Sequence, residues 1–64
     1  MTARPLIGLR ERREFRDMNQ KQMAEVLGLT QSQYAKFERG AVRLDIYRAA
    51  DLARFLDCSI EELL

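Results

Sequence analysis

Apolar residues recur along this chain at the three- and four-residue spacings that are typical of amphipathic helices. A first helix is predicted from Leu6 to about Arg16, where residues of high helix propensity are dense. Asp17-Met18-Asn19 then interrupts the pattern, and the segment before the first helix, residues 1–5, is predicted to be a flexible N-terminal arm. The rest of the pattern divides into short helical segments separated by glycines and capping residues.

Two short helices are predicted in the middle of the chain. Asn19 and Thr30 are good N-cap residues, and each is followed three positions later by a glutamine that can complete a capping box. The second helix therefore runs from Gln20 to about Leu27 and ends at Gly28, because glycine accepts the left-handed conformation of a tight helix exit. The third helix begins at Gln31.

Only the three-residue turn Gly28-Leu29-Thr30 separates these two helices. They must therefore cross steeply to bury their apolar sides. Such a crossing requires a small residue where the helices meet, which Ala24 provides, and an apolar residue in the angle, which Leu29 provides. Tyr34 and Phe37 then close the contact from the third helix. Together these requirements predict a helix-turn-helix motif over residues 20–37.

A fourth and a fifth helix are predicted beyond Gly40, which ends the third. Asp45 can cap the fourth helix, whose inward face comprises Ile46, Ala49, Ala50, Ala53 and Leu56. Ser59 and Glu62 form another capping-box pattern, which opens a short final helix through Leu64. The chain is therefore predicted to be an all-α, compact five-helix domain over residues 6–64.

Composition narrows the function classes. The 64 residues, 47% of them hydrophobic, suit one small globular domain. The single cysteine, Cys58, cannot form an internal disulfide, which favours a reducing, cytoplasmic setting, and we expect its thiol to be buried and inert. Without histidine or a second cysteine we expect no metal site and no cofactor. No apolar run reaches the length of a membrane span, and no nucleophile–base pair indicates an enzyme or a small-molecule substrate.

Charge is distributed unevenly along the chain. The net charge of +1 is too small to indicate nucleic-acid binding by itself. Residues 1–43, however, hold nine Lys/Arg against five Asp/Glu, a balance of +4, whereas residues 44–64 hold two against five, a balance of −3. The basic part of the chain therefore coincides with the predicted motif.

The segment N-Q-K-Q-M-A-E-V-L-G-L-T-Q-S-Q-Y-A-K-F-E-R-G resembles the Cro/C1-type (XRE-like) helix-turn-helix family of phage repressors and bacterial regulators. Downstream, L-A-R-F-L-D-C-S-I-E-E-L-L resembles the last two helices of that family. The resemblance implies a lambda-repressor-like domain that binds a palindromic double-stranded DNA operator as a homodimer, with the third helix in the major groove. It also implies that the protein is nucleoid-associated through its DNA.

The resemblance assigns DNA contacts to individual residues. Gln31, Ser32 and Lys36 match the positions that meet base edges, and a glutamine amide can make a bidentate contact with adenine. The contacts to the DNA backbone are assigned to Asn19, Gln20, Thr30, Arg39 and Arg43. Gln33 is interpreted as a capping residue rather than as a base reader. The competing interpretation of the lysine and the two arginines is an ordinary solvated surface.

The chain departs from the family pattern in its first helix and after its fourth. Without a gap in the alignment, Arg13 matches a family arginine that pairs with Glu38, whereas with a gap Arg10 takes that role. Asp57 replaces the usual glycine after the fourth helix, and aspartate tolerates the left-handed conformation better than most residues.

Apolar residues also occupy positions in the loop and the fourth helix that are usually polar, small or proline in the family, namely Val42, Leu44, Tyr47 and Phe55. A contiguous apolar patch marks an interface, so a homodimer contact is predicted to include some of Val42, Leu44, Phe55 and Leu64. In the alternative interpretation, Phe55 fills core space left by Ala49 and Ala50.

Two functions fit these observations. The first is a sequence-specific transcriptional regulator, above all a repressor that occupies an operator and blocks polymerase. The second is a protein-interaction module that binds another regulator through Val42, Leu44 and Tyr47, and the nearly neutral net charge keeps this alternative open. An enzyme fits the sequence least.

Overall fold

The computed structural model describes residues 4–64 and shows, over that range, four α-helices and a terminal 3-10 turn. Their bounds are α1 Ile7–Phe15, α2 Gln20–Leu27, α3 Gln31–Glu38, α4 Ile46–Leu56 and the 3-10 turn Glu61–Leu63. No strand occurs among these residues, and the prediction of an all-α domain is confirmed. Of the predicted arm, residues 1–3 lie outside the described residues, and Arg4 and Pro5 are exposed.

The predicted fifth helix is replaced by the single 3-10 turn, which corrects the expected count of five helices. The capping-box contacts do form: the Ser59 N–H donates to Glu62 Oε1 at 2.9 Å, and the Glu62 N–H donates to Ser59 Oγ at 3.3 Å. The Leu63 N–H, however, donates to the carbonyl oxygen of Ile60, only three residues earlier, at 3.0 Å. Hydrogen bonds over three residues tighten the chain into a 3-10 turn, which suits so short a segment.

Each α-helix is followed by one residue in the left-handed conformation. The φ angles are 58° at Asp17, 69° at Gly28, 79° at Gly40 and 54° at Asp57. Glycine adopts this conformation without steric cost, and aspartate is one of the few other residues that visit it. The expectation that Asp57 can replace a helix-ending glycine is therefore confirmed.

Each element contributes one large, fully buried side chain to a single core: Leu9, Met23, Tyr34, Leu52 and Leu63. Burying one leucine or methionine side chain stabilises a fold by roughly 1.5–3 kcal/mol, so these side chains hold the elements together. Cys58, expected to be buried, is instead half-buried and packs against this core. No helix within residues 4–64 has the length and apolar character needed to cross a membrane.

Backbone contacts connect α1 to two other parts of the domain. The Leu6 N–H donates to the carbonyl oxygen of Glu38 at the end of α3, at 2.9 Å, and the Gly8 N–H donates to that of Leu64 at 3.3 Å. A β-carbon at position 8 would overlap the carbonyl oxygen of Glu62. Only glycine therefore lets the 3-10 turn lie this close to α1.

Candidate nucleic-acid interface

α2 and α3 form the predicted helix-turn-helix. Gly28 has a φ of 69°, and the Leu29 N–H donates to the carbonyl oxygen of Ala24 at 2.9 Å, which closes the exit of α2. Ala24 is 1% exposed, and Tyr34 and Phe37 are buried on the inward side of α3. Leu29 is half-buried against the core. The turn residues chosen from the sequence therefore take the positions expected of them.

Both helices of the motif begin with a complete capping box. At α2, the Gln22 N–H donates to Asn19 Oδ1 at 2.8 Å, and the Asn19 N–H donates to Gln22 Oε1 at 2.9 Å. At α3, the Gln33 N–H donates to Thr30 Oγ1 at 3.1 Å, and the Thr30 N–H donates to Gln33 Oε1 at 3.0 Å. Gln33 is thereby committed to the helix start, and its interpretation as a capping residue is confirmed.

The capping boxes leave donors available at both helix starts. Asn19 and Thr30 are exposed, and their side-chain oxygens accept bonds from the backbone. Within residues 4–64, the amide N–H groups of the Asn19 side chain and the hydroxyl proton of Thr30 are therefore available to donate. Since the start of a helix also carries the positive end of its dipole, these donors suit an anion such as phosphate.

The outward face of α3 carries the residues predicted to read bases. Gln31 and Ser32 lie in the first turn, and Lys36 lies one turn beyond Ser32 on the same side of the helix. All three are exposed, whereas Tyr34 and Phe37 are buried. α3 thus presents polar side chains of different lengths on a helix that is anchored from behind.

The predicted backbone-binding arginines follow this face. Arg39 is the C-cap residue of α3, Arg43 lies in the next loop, and both are exposed. The loop is folded back onto α3, because the Ala41 N–H donates to the carbonyl oxygen of Lys36 at 2.9 Å. Both cations are therefore held near the C-terminal end of the same helix.

A buried ion pair joins α1 to the end of α3. Arg13 Nε lies 2.7 Å from Glu38 Oε2, Arg13 Nη2 lies 3.1 Å from Glu38 Oε1, and the two residues are 8% and 7% exposed. Arg13 Nη1 also donates to the carbonyl oxygen of Met18 at 2.8 Å. The ungapped register is therefore correct, and Arg10 forms an exposed pair with Glu14 instead.

The ion pair controls the charge of the groups around it. Burial would raise the pKa of Glu38, but hydrogen bonds from Arg13 and Gln20 outweigh burial and lower that pKa below its usual range. The hydrogen bond to Glu38 raises the pKa of Arg13. The Tyr34 hydroxyl is buried nearby without a hydrogen-bond partner of normal geometry in residues 4–64. Burial, and then the Glu38 carboxylate, raise the pKa of Tyr34, so the phenol stays neutral.

Gln20, predicted to contact a phosphate, also makes a bond inside the protein. Its Nε2 donates to Glu38 Oε1 at 3.2 Å across a separation of 18 positions, so the start of α2 is tied to the end of α3. Local sequence patterns give no signal for this bond, because it arises only when the two helix ends are packed together. It is the main feature of the interface that sequence reasoning misses.

A cleft of about 490 Å³ lies beside this bond, between α1 and α3. Its polar walls are formed by Arg10, Arg13, Gln20, Glu38 and Arg39. Three arginines and one carboxylate give the cleft an excess of positive charge. From the sequence, Arg10 appears only as an alternative partner for Glu38, so its place in the cleft is another feature that the pattern does not reveal.

The residues of the predicted dimer contact do not form one surface. Leu44 and Leu64 line an apolar groove of about 270 Å³, to which Ile46 of α4 also contributes. Val42 is exposed in the adjoining loop. Leu44 is half-buried against the core, so only part of its side chain is open to the groove.

Phe55 lies away from that groove. It is nine positions from Ile46 in α4, which at 100° per residue puts the two side chains on opposite sides of the helix. The guanidinium carbon of Arg16 stands 5.5 Å from the centroid of the Phe55 ring, and the side chain is 36% exposed. Phe55 is therefore neither part of the groove nor the core filler of the alternative interpretation.

The comparison with protein families agrees with this geometry. Residues 9–63 match the family model described as helix-turn-helix, whereas neither the curated proteins nor the solved structures gave a match. The matched range contains the two capping boxes, the turn between them and the outward face of α3. Because the match covers most of the chain, the protein belongs to the Cro/C1-type helix-turn-helix family.

Proposed function

We propose that this protein is a transcriptional regulator that binds double-stranded DNA sequence-specifically and represses by occupying an operator. The observation that carries the proposal is the outward face of α3, where Gln31, Ser32 and Lys36 are exposed while the inward face is anchored in the core. The major groove of B-DNA admits an α-helix and presents a distinct pattern of donors and acceptors for each base pair. A protein that fills an operator excludes polymerase from it.

Gln31 is the principal base reader in this proposal. Its amide can donate and accept at the same adenine edge, and a bidentate contact of this kind discriminates by about 1–3 kcal/mol. Ser32 is short and can either donate or accept, so it specifies weakly. Lys36 reaches a guanine edge or a phosphate.

Contacts to the DNA backbone keep α3 in register. The helix starts at Asn19, Gln20 and Thr30 present donors to phosphates, and Arg39 and Arg43 clamp the backbone beyond the end of α3. Phosphate contacts carry no sequence information by themselves. They therefore position α3 and leave the choice of sequence to its side chains.

A homodimer on a palindromic operator completes the proposal. The apolar groove of Leu44 and Leu64 is the surface we assign to the second copy, since Leu64 is 73% exposed and Ile46 is 63% exposed at its edge. The same groove on two copies can meet around a two-fold axis, with Val42 beside it. Leu64→Ser should reduce pairing on DNA in sedimentation experiments, and a wild-type monomer at high concentration with and without DNA would exclude the dimer.

The salt dependence of DNA binding tests the central part of the proposal. Affinity for a mixed-sequence duplex should fall steeply as salt rises, because bound counterions are released from the DNA. Arg43→Ala should weaken binding to all sequences about equally and reduce the salt slope by about 1. Arg54→Ala is the matched control, because Arg54 is an exposed arginine of α4 that pairs with Asp51, and it should leave binding unchanged. A folded wild-type protein without affinity for DNA at low salt contradicts the proposal.

A protein-interaction module is the second candidate, and the exposure of Tyr47 and Val42 favours it. Tyr47 is 81% exposed in the first turn of α4, close in sequence to the loop that holds Val42. Leu44, the third residue of that predicted contact, is half-buried and offers less surface. The salt dependence of DNA binding separates the two candidates, since a module without DNA affinity shows no salt-dependent binding.

A further inference from the structure

The Glu38 carboxylate is held still relative to the start of α2. Arg13 donates hydrogen bonds to both of its oxygens, from Nε at 2.7 Å and from Nη2 at 3.1 Å. Arg13 is itself fixed to the carbonyl oxygen of Met18, the residue just before the Asn19 cap of α2. The carboxylate therefore faces the first residue of α2, Gln20, in a defined position.

This carboxylate allows only one orientation of the Gln20 side chain. An ionised carboxylate can accept hydrogen bonds but cannot donate them, and a carboxamide offers a nitrogen with two hydrogens on one side and an oxygen on the other. With its nitrogen toward Glu38, Gln20 makes the observed bond of 3.2 Å. The reversed orientation would place the amide oxygen against the carboxylate, where the two acceptors repel each other.

We infer that Glu38 is a positioning residue for DNA binding: it turns Gln20 Nε2 into the cleft between α1 and α3, where the second N–H donates to a DNA phosphate. The inference rests on the proposed function. Arg10 and Arg39 line the same cleft and add positive charge for the phosphate. The amide nitrogen thus donates one hydrogen bond to the Glu38 carboxylate and one to the phosphate.

A double-mutant cycle on DNA affinity tests this coupling. The probe is a mixed-sequence DNA duplex at low salt, because a phosphate contact does not depend on sequence. Gln20→Met keeps the length of the side chain but removes its donors, and should weaken binding about tenfold, the value of one hydrogen bond to a charged group. Glu38→Gln should weaken binding by a similar factor. The double variant should bind no more weakly than the weaker single variant.

Lys21→Met provides the matched control cycle. Lys21 is the next residue of α2 and is exposed, so its charge attracts DNA without reference to Glu38. Its loss should combine additively with Glu38→Gln. If Glu38→Gln does not fold, Glu38→Asp replaces it, because aspartate keeps a charge for Arg13 while withdrawing the carboxylate from Gln20.

A measurement on the free protein separates failure of the inference from failure of the proposed function. In an NMR spectrum, the signal of the Gln20 side-chain N–H that faces Glu38 should lie downfield of its position in an ordinary glutamine, and it should return toward that position in the Glu38 variant. The inference is overturned, while DNA binding stands, if the losses of DNA affinity in the Gln20 and Glu38 variants are additive. It is also overturned if the Gln20 side-chain signals do not shift in the Glu38 variant. If the Gln20 signals depend on Glu38 but the wild-type protein does not bind the duplex, the proposed function is overturned instead.

Discussion

The two halves of this domain are held together by different means. In the first half, α1 to α3, polar side chains have defined partners: the capping boxes at Asn19 and Thr30, and the buried Arg13–Glu38 pair. In the second half, the loop, α4 and the 3-10 turn, Asp45 caps α4 and Ser59 forms a box with Glu62, but the ion pairs, such as Asp51–Arg54, are exposed. The buried ion pair thus lies in the half where we propose that DNA binds, whereas the ion pairs of the second half lie on its surface.

The largest difference between the halves should appear when one ion pair is broken in each. Glu38→Ala leaves Arg13 buried without a partner, and should lower the free energy of unfolding by about 3–5 kcal/mol. Asp51→Ala breaks a pair whose side chains are mostly exposed, and should change the free energy of unfolding by less than about 1 kcal/mol. Urea unfolding of the two variants measures both values. Equal losses would remove the distinction between the halves.

A second variant tests how far the second half depends on backbone contact. Gly8→Ala places a methyl group where the carbonyl oxygen of Glu62 lies, so the 3-10 turn must move away from α1. Overpacking of this kind should cost about 1–3 kcal/mol in thermal or urea unfolding. Gly28→Asn is the control, because the space at Gly28 is open and asparagine tolerates a positive φ. A fully stable Gly8→Ala variant would show that the contact is loose.

A smaller effect is expected from the capping boxes. Thr30→Ala removes the acceptor for the Gln33 N–H at the start of α3, and should cost about 1 kcal/mol of stability. Thr30→Ser keeps the hydroxyl and should retain most of it. Chemical unfolding compares the two variants with the wild type, and equal stability of all three would mean that the box adds nothing to the fold.

The smallest effect is expected from acid titration of Glu38. Because the pKa of Glu38 is below its usual range in the folded protein, its ionised form stabilises the fold. That stability is fully present above the pKa of the unfolded chain, and it is lost as the pH falls through the folded-state pKa. Unfolding midpoints measured at successive acidic pH values should therefore fall more steeply for the wild type than for Glu38→Gln. Parallel curves of midpoint against pH for the two proteins would exclude Glu38 as the cause of the loss of stability in acid.

The features that sequence predicts well in this domain are local ones. The boxes Asn19–Gln22 and Thr30–Gln33 each lie within four consecutive residues, so their hydrogen bonds follow from spacing alone. The glycine exit at Gly28 and the aspartate exit at Asp57 are likewise decided by single residues. The resemblance to a known family added the functional interpretation of α3, which spacing does not provide.

The features that sequence predicts poorly depend on how distant segments pack. Arg13 and Arg10 lie one turn apart in α1, and only the packing of that helix shows that Arg13 meets Glu38. The bond from Gln20 to Glu38 has the same origin. Phe55 is apolar, like the groove residues, but the rotation of α4 places it on the other side of the helix, beside Arg16.

Selection of bound sequences from random DNA, with the wild type and with Gln31→Ala, tests the central claim most directly. We expect the wild type to select a palindrome and Gln31→Ala to lose the preference at one base position in each half-site. Ser32→Ala, beside it, should alter the selected sequence less. An unchanged preference in Gln31→Ala would contradict the assignment of α3 as the helix that reads DNA.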